Sequence, residues 1–131
     1  MDPIPIDASP DAADWITERV MEGALDPDLE GRVPVLSLVL HHRRWDHDQR
    51  LIEEIQEEHC MVRWYRPGWV AGMFCQEVVV SGLRLFIVPE TVRRLAGKRL
   101  VLRPLEFGFT PEGKPLLMKA VDPTDDDHEP G

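Results

Sequence analysis

Cys60 and Cys75 are the only thiols among 131 residues, and His59 precedes the first of them. Together the three offer the donor types that hold zinc or an iron–sulfur cluster. Zinc takes three or four N, S or O donors at about 2.0–2.3 Å, usually in closely spaced pairs. His41, His42 and His47 share a polar stretch with Asp46 and Asp48, but no His-x-x-x-His pair occurs. A helix over residues 47–59 would hold His47 and His59 roughly 18–20 Å apart, too far to share an ion. Carboxylate-bridged metal sites in helices use Glu-x-x-His on an inward face. Here Gln56 stands three residues before His59, and Glu53, Glu54, Glu57 and Glu58 read as a solvated helix face.

Nucleophilic catalysis needs an activated thiol or hydroxyl with a base in reach. Cys60 has only His59 beside it, and neighbours on a strand point to opposite faces. Cys75 has no flanking base. Neither a Gly-x-Ser-x-Gly elbow nor a phosphate-binding glycine loop is present. No catalytic residue is therefore assigned, and the thiols read as small buried hydrophobes. An enzyme would have to assemble its site from residues distant in sequence.

The stretch from Arg63 to Phe74 is the most distinctive in the chain. Arg63, Trp64, Tyr65, Arg66 and Trp69 are of the types that dominate protein-binding hot spots, and Pro67-Gly68 is a turn signal that would display them. These five form the candidate partner-binding surface. A weaker candidate is an anion site made by Arg93, Arg94, Lys98 and Arg99, with Arg103 nearby. The competing explanation is that Arg93 and Arg94 complement the dipole of a short helix.

These residues need elements to hold them. Residues 1–10, with three prolines and two aspartates, read as a flexible lead-in. A helix begins near Ser9 or Asp11, with Trp15, Ile16, Val20 and Met21 at helical spacing and Gly23 as its stop. Residues 25–31 read as a loop, and residues 33–40 as a buried strand. The polar 41–48 connection leads into a second helix over 47–59, with Asp46 as N-cap, Leu51, Ile52 and Ile55 inward, and Arg50 pairing with Glu54. Residues 60–65 form a short strand. Val78 to Val80, Ser81-Gly82 and Leu83 to Ile87 read as a hairpin. A short helix with proline near its start and Gly97 beyond its end follows, then strands over 99–105 and 116–121 with a turn at 111–114. The sum is one α+β domain over residues 11–121, a mixed or antiparallel sheet with two or three helices, followed by an acidic tail over 122–131.

The net charge of −9 is unevenly spread. Residues 1–30 carry −8 and residues 122–131 carry −5, leaving a body of +4. Acidic ends keep such a domain soluble, and a tail folding back on the basic face would compete with an anionic partner. The summed field repels phosphate, so nucleic acid is not expected as a partner. Two cysteines are too few for a disulfide framework, the N-terminus lacks the pattern of a secretory signal, and no apolar run is long enough to span a membrane. A cytoplasmic protein with reduced thiols is expected, with a protein partner and with homodimerisation compatible.

From Glu77 to Arg103 the order is strand, tight turn, strand, the Pro-Glu-Thr-Val helix, Leu-Ala-Gly-Lys and strand. This resembles the core of the HesB-like, A-type iron–sulfur carrier family, whose leading helix and apolar strand also stand in the same order here. The resemblance covers about half the chain. It implies the α+β fold of that family and, in its members, a cluster held by one mid-chain cysteine and a C-terminal Cys-x-Cys. This chain has no cysteine after Cys75, and Phe107-Gly108-Phe109-Thr110-Pro111 stands where the pair would fall. The expectation is thus a non-enzymatic accessory or interaction domain of HesB-like fold with no cofactor. The alternative is a metal- or iron–sulfur-binding protein using Cys60, Cys75 and His59.

Overall fold

The computed structural model describes residues 2–111 and 116–124. Its strands are β1 (Ile4–Pro5), β2 (Val33–Val39), β3 (His42–Trp45), β4 (Leu51–Ile55), β5 (His59–Tyr65), β6 (Gln76–Val80), β7 (Leu83–Ile87), β8 (Arg99–Pro104), β9 (Gly108–Phe109) and β10 (Leu116–Val121). The helices are α1 (Pro10–Ala24), α2 (Pro67–Gly72) and α3 (Pro89–Leu95), with a 3-10 turn at Pro27–Leu29. The α+β class expected from the sequence is the class observed.

Helix α1 starts where local chemistry says it should. The Ser9 hydroxyl accepts the Ala12 N–H at 3.2 Å, and Pro10 occupies the first turn, where its missing N–H costs nothing. Ala12, Ala13 and Ile16 then recur on one face and are buried. They pack with Leu36, Cys60, Val78, Val80, Leu85, Ile87, Leu95, Leu100 and Met118 in the main core. The β6–β7 hairpin turns at Ser81 and Gly82, whose φ values of 48° and 85° are both in the left-handed region. A two-residue turn matching the right-handed strand twist needs that conformation.

Seven strands form one sheet in the order β1-β6-β7-β2-β5-β10-β8. Its two edges are joined by the N-terminal segment. Ile4 and Pro5 pair in parallel with Val78 and Val79 of β6, and Ala8 then bridges Leu100 of β8. The Ser9 N–H donates to the Leu100 carbonyl at 2.8 Å, and the Leu100 N–H donates to that of Asp7 at 2.9 Å. The residues expected as a flexible lead-in therefore close the sheet on itself, covering strand edges that would otherwise remain open.

The second helix expected over 47–59 is absent. Those residues form β4, a turn and the start of β5. β4 pairs antiparallel with β3, setting Arg43 against Glu54 and Arg44 against Glu53, and β9 pairs on its other side. Asp46 caps a turn, not a helix: its Oδ1 accepts the N–H groups of Asp48 and Arg50, and Gln49 takes φ 63°. The Leu51, Ile52 and Ile55 spacing fits a helical stripe locally. Cross-strand Arg–Glu pairs and burial of Ile55 override that preference. Residues 112–115 of the expected turn and 125–131 of the tail lie outside the described residues. Asp122 pairs with Lys98 at 2.8 Å. Among the described residues no helix is long and apolar enough to cross a membrane.

Candidate functional site

The five residues proposed as a contact surface split between two faces. On β5, Cys60 and Val62 belong to the core, so strand alternation turns Trp64 to that side and Arg63 and Tyr65 to the other. Trp64 packs under α1: a Cβ built at Gly23 would overlap its indole ring. It is a packing residue, which the sequence reading placed on the display surface. Tyr65 does face outward, and the Trp69 ring stacks on it at 4.0 Å between centroids and 17° between planes.

Pro67-Gly68, read as a turn, opens α2, with Arg66 as its exposed N-cap residue and Pro67 in its first turn. The helix lasts six residues because of its C-terminus. The Cys75 N–H donates to the Val70 carbonyl and the Phe74 N–H to the Ala71 carbonyl, both at 3.1 Å. This paired pattern is a Schellman motif, whose left-handed position is usually glycine. Here that position is Phe74, at φ 55° and 80% exposed. Met73 and Trp69, one and five residues before it, are 48% and 39% exposed. Met73 and Phe74 end the distinctive stretch but were not among its five candidate contact residues, because nothing local says that a helix ends there on a residue other than glycine.

Among the described residues no carboxylate pairs with Arg63 or Arg66, whereas Arg19, Arg43, Arg44, Arg84 and Arg94 each have one. The α2 surface thus presents an aromatic stack, two further exposed apolar side chains and cationic charge with no neutralising acid. The expected anion group is arranged otherwise. Arg94 pairs with Glu58 at 2.5 Å, Lys98 with Asp122 at 2.8 Å and Arg99 with Asp7 at 3.6 Å, while Arg93 is exposed on α3. Its positive charge is distributed among three acids.

The three candidate metal ligands do not converge. Cys60 is 1% exposed in the core beside its register partner Met118, and burial pushes its thiol pKa up to about 12. Cys75 precedes β6, three strands from β5 in the sheet order, about 14 Å at ordinary strand spacing. Burial raises its thiol pKa also. Both ligation and nucleophilic attack use the thiolate, which both surroundings disfavour. No group of three His, Cys, Asp or Glu side chains suited to a metal occurs among the described residues. Among the described residues, Cys60, Cys75 and His59 are thus not brought together at one point.

Of the four glutamates expected toward water, Glu58 is exposed, whereas Glu53, Glu54 and Glu57 are partly or fully buried and paired. Glu54 is 9% exposed. Gln56 and Arg43, which donate hydrogen bonds to it, and then His41, hold its carboxyl below the ordinary 4.5 against the cost of burial. Glu57 accepts the Lys119 ammonium at 2.9 Å and the Glu106 N–H at 2.8 Å. Burial raises its pKa, but Lys119 and that N–H outweigh burial and leave it lowered. His42 donates to Glu53 at 2.7 Å and meets the His59 ring edge-on at 6.3 Å. His59 is 2% exposed, and burial holds its pKa below 6.5 despite the hydrogen bond from Nδ1 to the Glu57 carbonyl. It lines a cleft of about 410 Å³ with Trp15, Ile55, Met61, Leu117 and Met118.

No protein-family model matches the chain, and no curated protein matches it either.

Proposed function

We propose that this chain is a non-catalytic interaction domain that binds a protein partner through the α2 surface: Tyr65, Arg66, Trp69, Met73 and Phe74. The observation that carries this reading is Phe74. A non-glycine residue in the left-handed region costs about 1–2 kcal/mol, and a side chain 80% exposed recovers little of that by burial. A strained, exposed aromatic beside a stacked Tyr–Trp pair is a feature that folding does not need and binding does. Arg63 and Arg66 add charge selectivity for a partner segment bearing acidic and apolar side chains. A HesB-like fold is the framework we assign, supported by the order of α1, β2, the β6–β7 hairpin, α3 and β8. The family's cluster ligation is not carried over, because its C-terminal Cys-x-Cys has no counterpart after Cys75.

The test uses Phe74→Gly and Trp69→Ala in the full chain. Phe74→Gly relieves the backbone and is expected to raise stability by about 1 kcal/mol while weakening a partner. Partners captured from lysate are identified and purified, and their affinities measured by calorimetry. Losses of about tenfold or more are expected for both variants. A partner, or a second copy of the chain, held equally by wild type and by both folded variants would refute the proposal.

A further inference from the structure

The cleft lined by His59 belongs to a different part of the molecule and has its own chemistry. A carbonyl only accepts hydrogen bonds, so the contact of His59 Nδ1 with the Glu57 carbonyl at 2.8 Å places the ring proton on Nδ1. Nε2 of the neutral ring is then a lone-pair acceptor. It is buried and, among the described residues, has no hydrogen-bond partner, a condition that costs a native protein free energy unless something fills it. The other side chains of the cleft wall are largely apolar: Ile55, Met61, Leu117 and Met118, with the Trp15 indole. The cleft's cations are neutralised within the chain. Arg19 is held by Glu22 at 2.8 Å and Arg44 lies 3.5 Å from Glu53, which also accepts from His42.

We propose that this cleft is a binding site for a small, neutral, apolar molecule carrying one hydroxyl donor, with the hydroxyl donating to His59 Nε2 and the hydrocarbon body lying against Ile55, Met61, Leu117 and Met118. Several features select that class. The bare acceptor rejects carboxylates and other pure acceptors. The neutralised arginines give an anion no excess of positive charge. A volume of about 410 Å³ falls in the range of small-molecule sites. Met61 and Met118 are unbranched and re-pack at small cost, which lets a ligand reach a nitrogen that the resting packing buries. Burial also favours the neutral, accepting form of the ring at neutral pH.

The probes are 1-naphthol and 1-methylnaphthalene, which share a ring system and differ in a hydroxyl or a methyl at one position. Each is titrated at neutral pH into the ¹⁵N-labelled full chain, following the His59 ring nitrogens and the Trp15 indole N–H by NMR. The expected result is that 1-naphthol shifts both signals and binds about tenfold more tightly than the methyl analogue, the increment of one buried hydrogen bond. In His59→Phe, which keeps a ring and removes the acceptor, the two probes should bind equally. If that variant does not fold, the comparison in the wild type decides alone. Equal affinity of the two probes for the wild type, or shifts confined to residues outside the cleft, would overturn the proposal.

Discussion

Gly23→Ala is the most informative single change for the packing of Trp64, because two effects of known size oppose one another. Gly23 lies in the last turn of α1, is buried, and faces the Trp64 indole at a distance that leaves no room for a methyl group. Helix propensity favours alanine by about 0.8–1.0 kcal/mol at an interior position, and by less near an end. Against that, the indole is rigid and anchored on β5, so the added carbon forces the helix or the ring to move, at about 1–3 kcal/mol. The expected net effect is a loss of about 1–2 kcal/mol, or roughly 4 °C per kcal/mol in melting temperature for a chain of this size. In a Trp64→Leu background the obstruction is gone and only propensity remains, so the same substitution should be neutral or stabilising. Denaturant unfolding followed by circular dichroism on the four proteins gives a coupling energy expected to exceed about 1 kcal/mol. If Gly23→Ala is as stable as wild type, or costs the same with Trp64 absent, Trp64 is not the packing residue described above.

Other outcomes follow from the same geometry. Native protein treated with iodoacetamide near pH 8 should be alkylated at Cys75 and spared at Cys60 until denaturant is added. Mass spectrometry of the peptides reads this, and equal labelling of the two thiols in the folded state would contradict the burial of Cys60. His59 has a folded pKa below 6.5, so the unfolded chain binds more protons as pH falls, and stability should drop from about pH 7 toward pH 5. Denaturation midpoints across that interval should decline less steeply in His59→Phe. Glu57, with its pKa held below 4.5, contributes stability that is present above that pH and lost as pH falls through its folded value. Glu57→Gln should lower stability at neutral pH by about 1 kcal/mol and remove that acid loss. Combining it with Lys119→Met should cost less than the sum of the single changes, and strict additivity would show that the pair does not interact.

Much of the fold was legible because its signals are local. Ser9 and Pro10 start α1, Ser81-Gly82 turns the β6–β7 hairpin, and proline and Gly97 bracket α3. Each rests on backbone preferences that act within a few residues. The 47–59 segment misled because Leu51, Ile52 and Ile55 satisfy a helical stripe as well as a half-buried strand. The correct signal was that Arg43-Arg44 and Glu53-Glu54 flank the Asp46–Gln49 turn, with an irregularity between Arg44 and Trp45 bringing them into register. That pattern becomes visible only when the two runs are read as opposing strands.

The candidate sites divide on the same line. Composition alone marked Arg63 to Trp69 as unusual and counted two cysteines in the chain. It could not say that Trp64 turns inward under α1 while Tyr65 turns outward to Trp69, since strand alternation assigns faces only after the buried face is known. Nor could it reveal that residues 4–9 close the sheet, that Phe74 carries the strain of a helix end, or that His59 lines a cleft with Nε2 unpartnered among the described residues. Those facts depend on contacts between residues far apart along the chain. Their free energy comes from burial and partner geometry, which no short window of sequence contains.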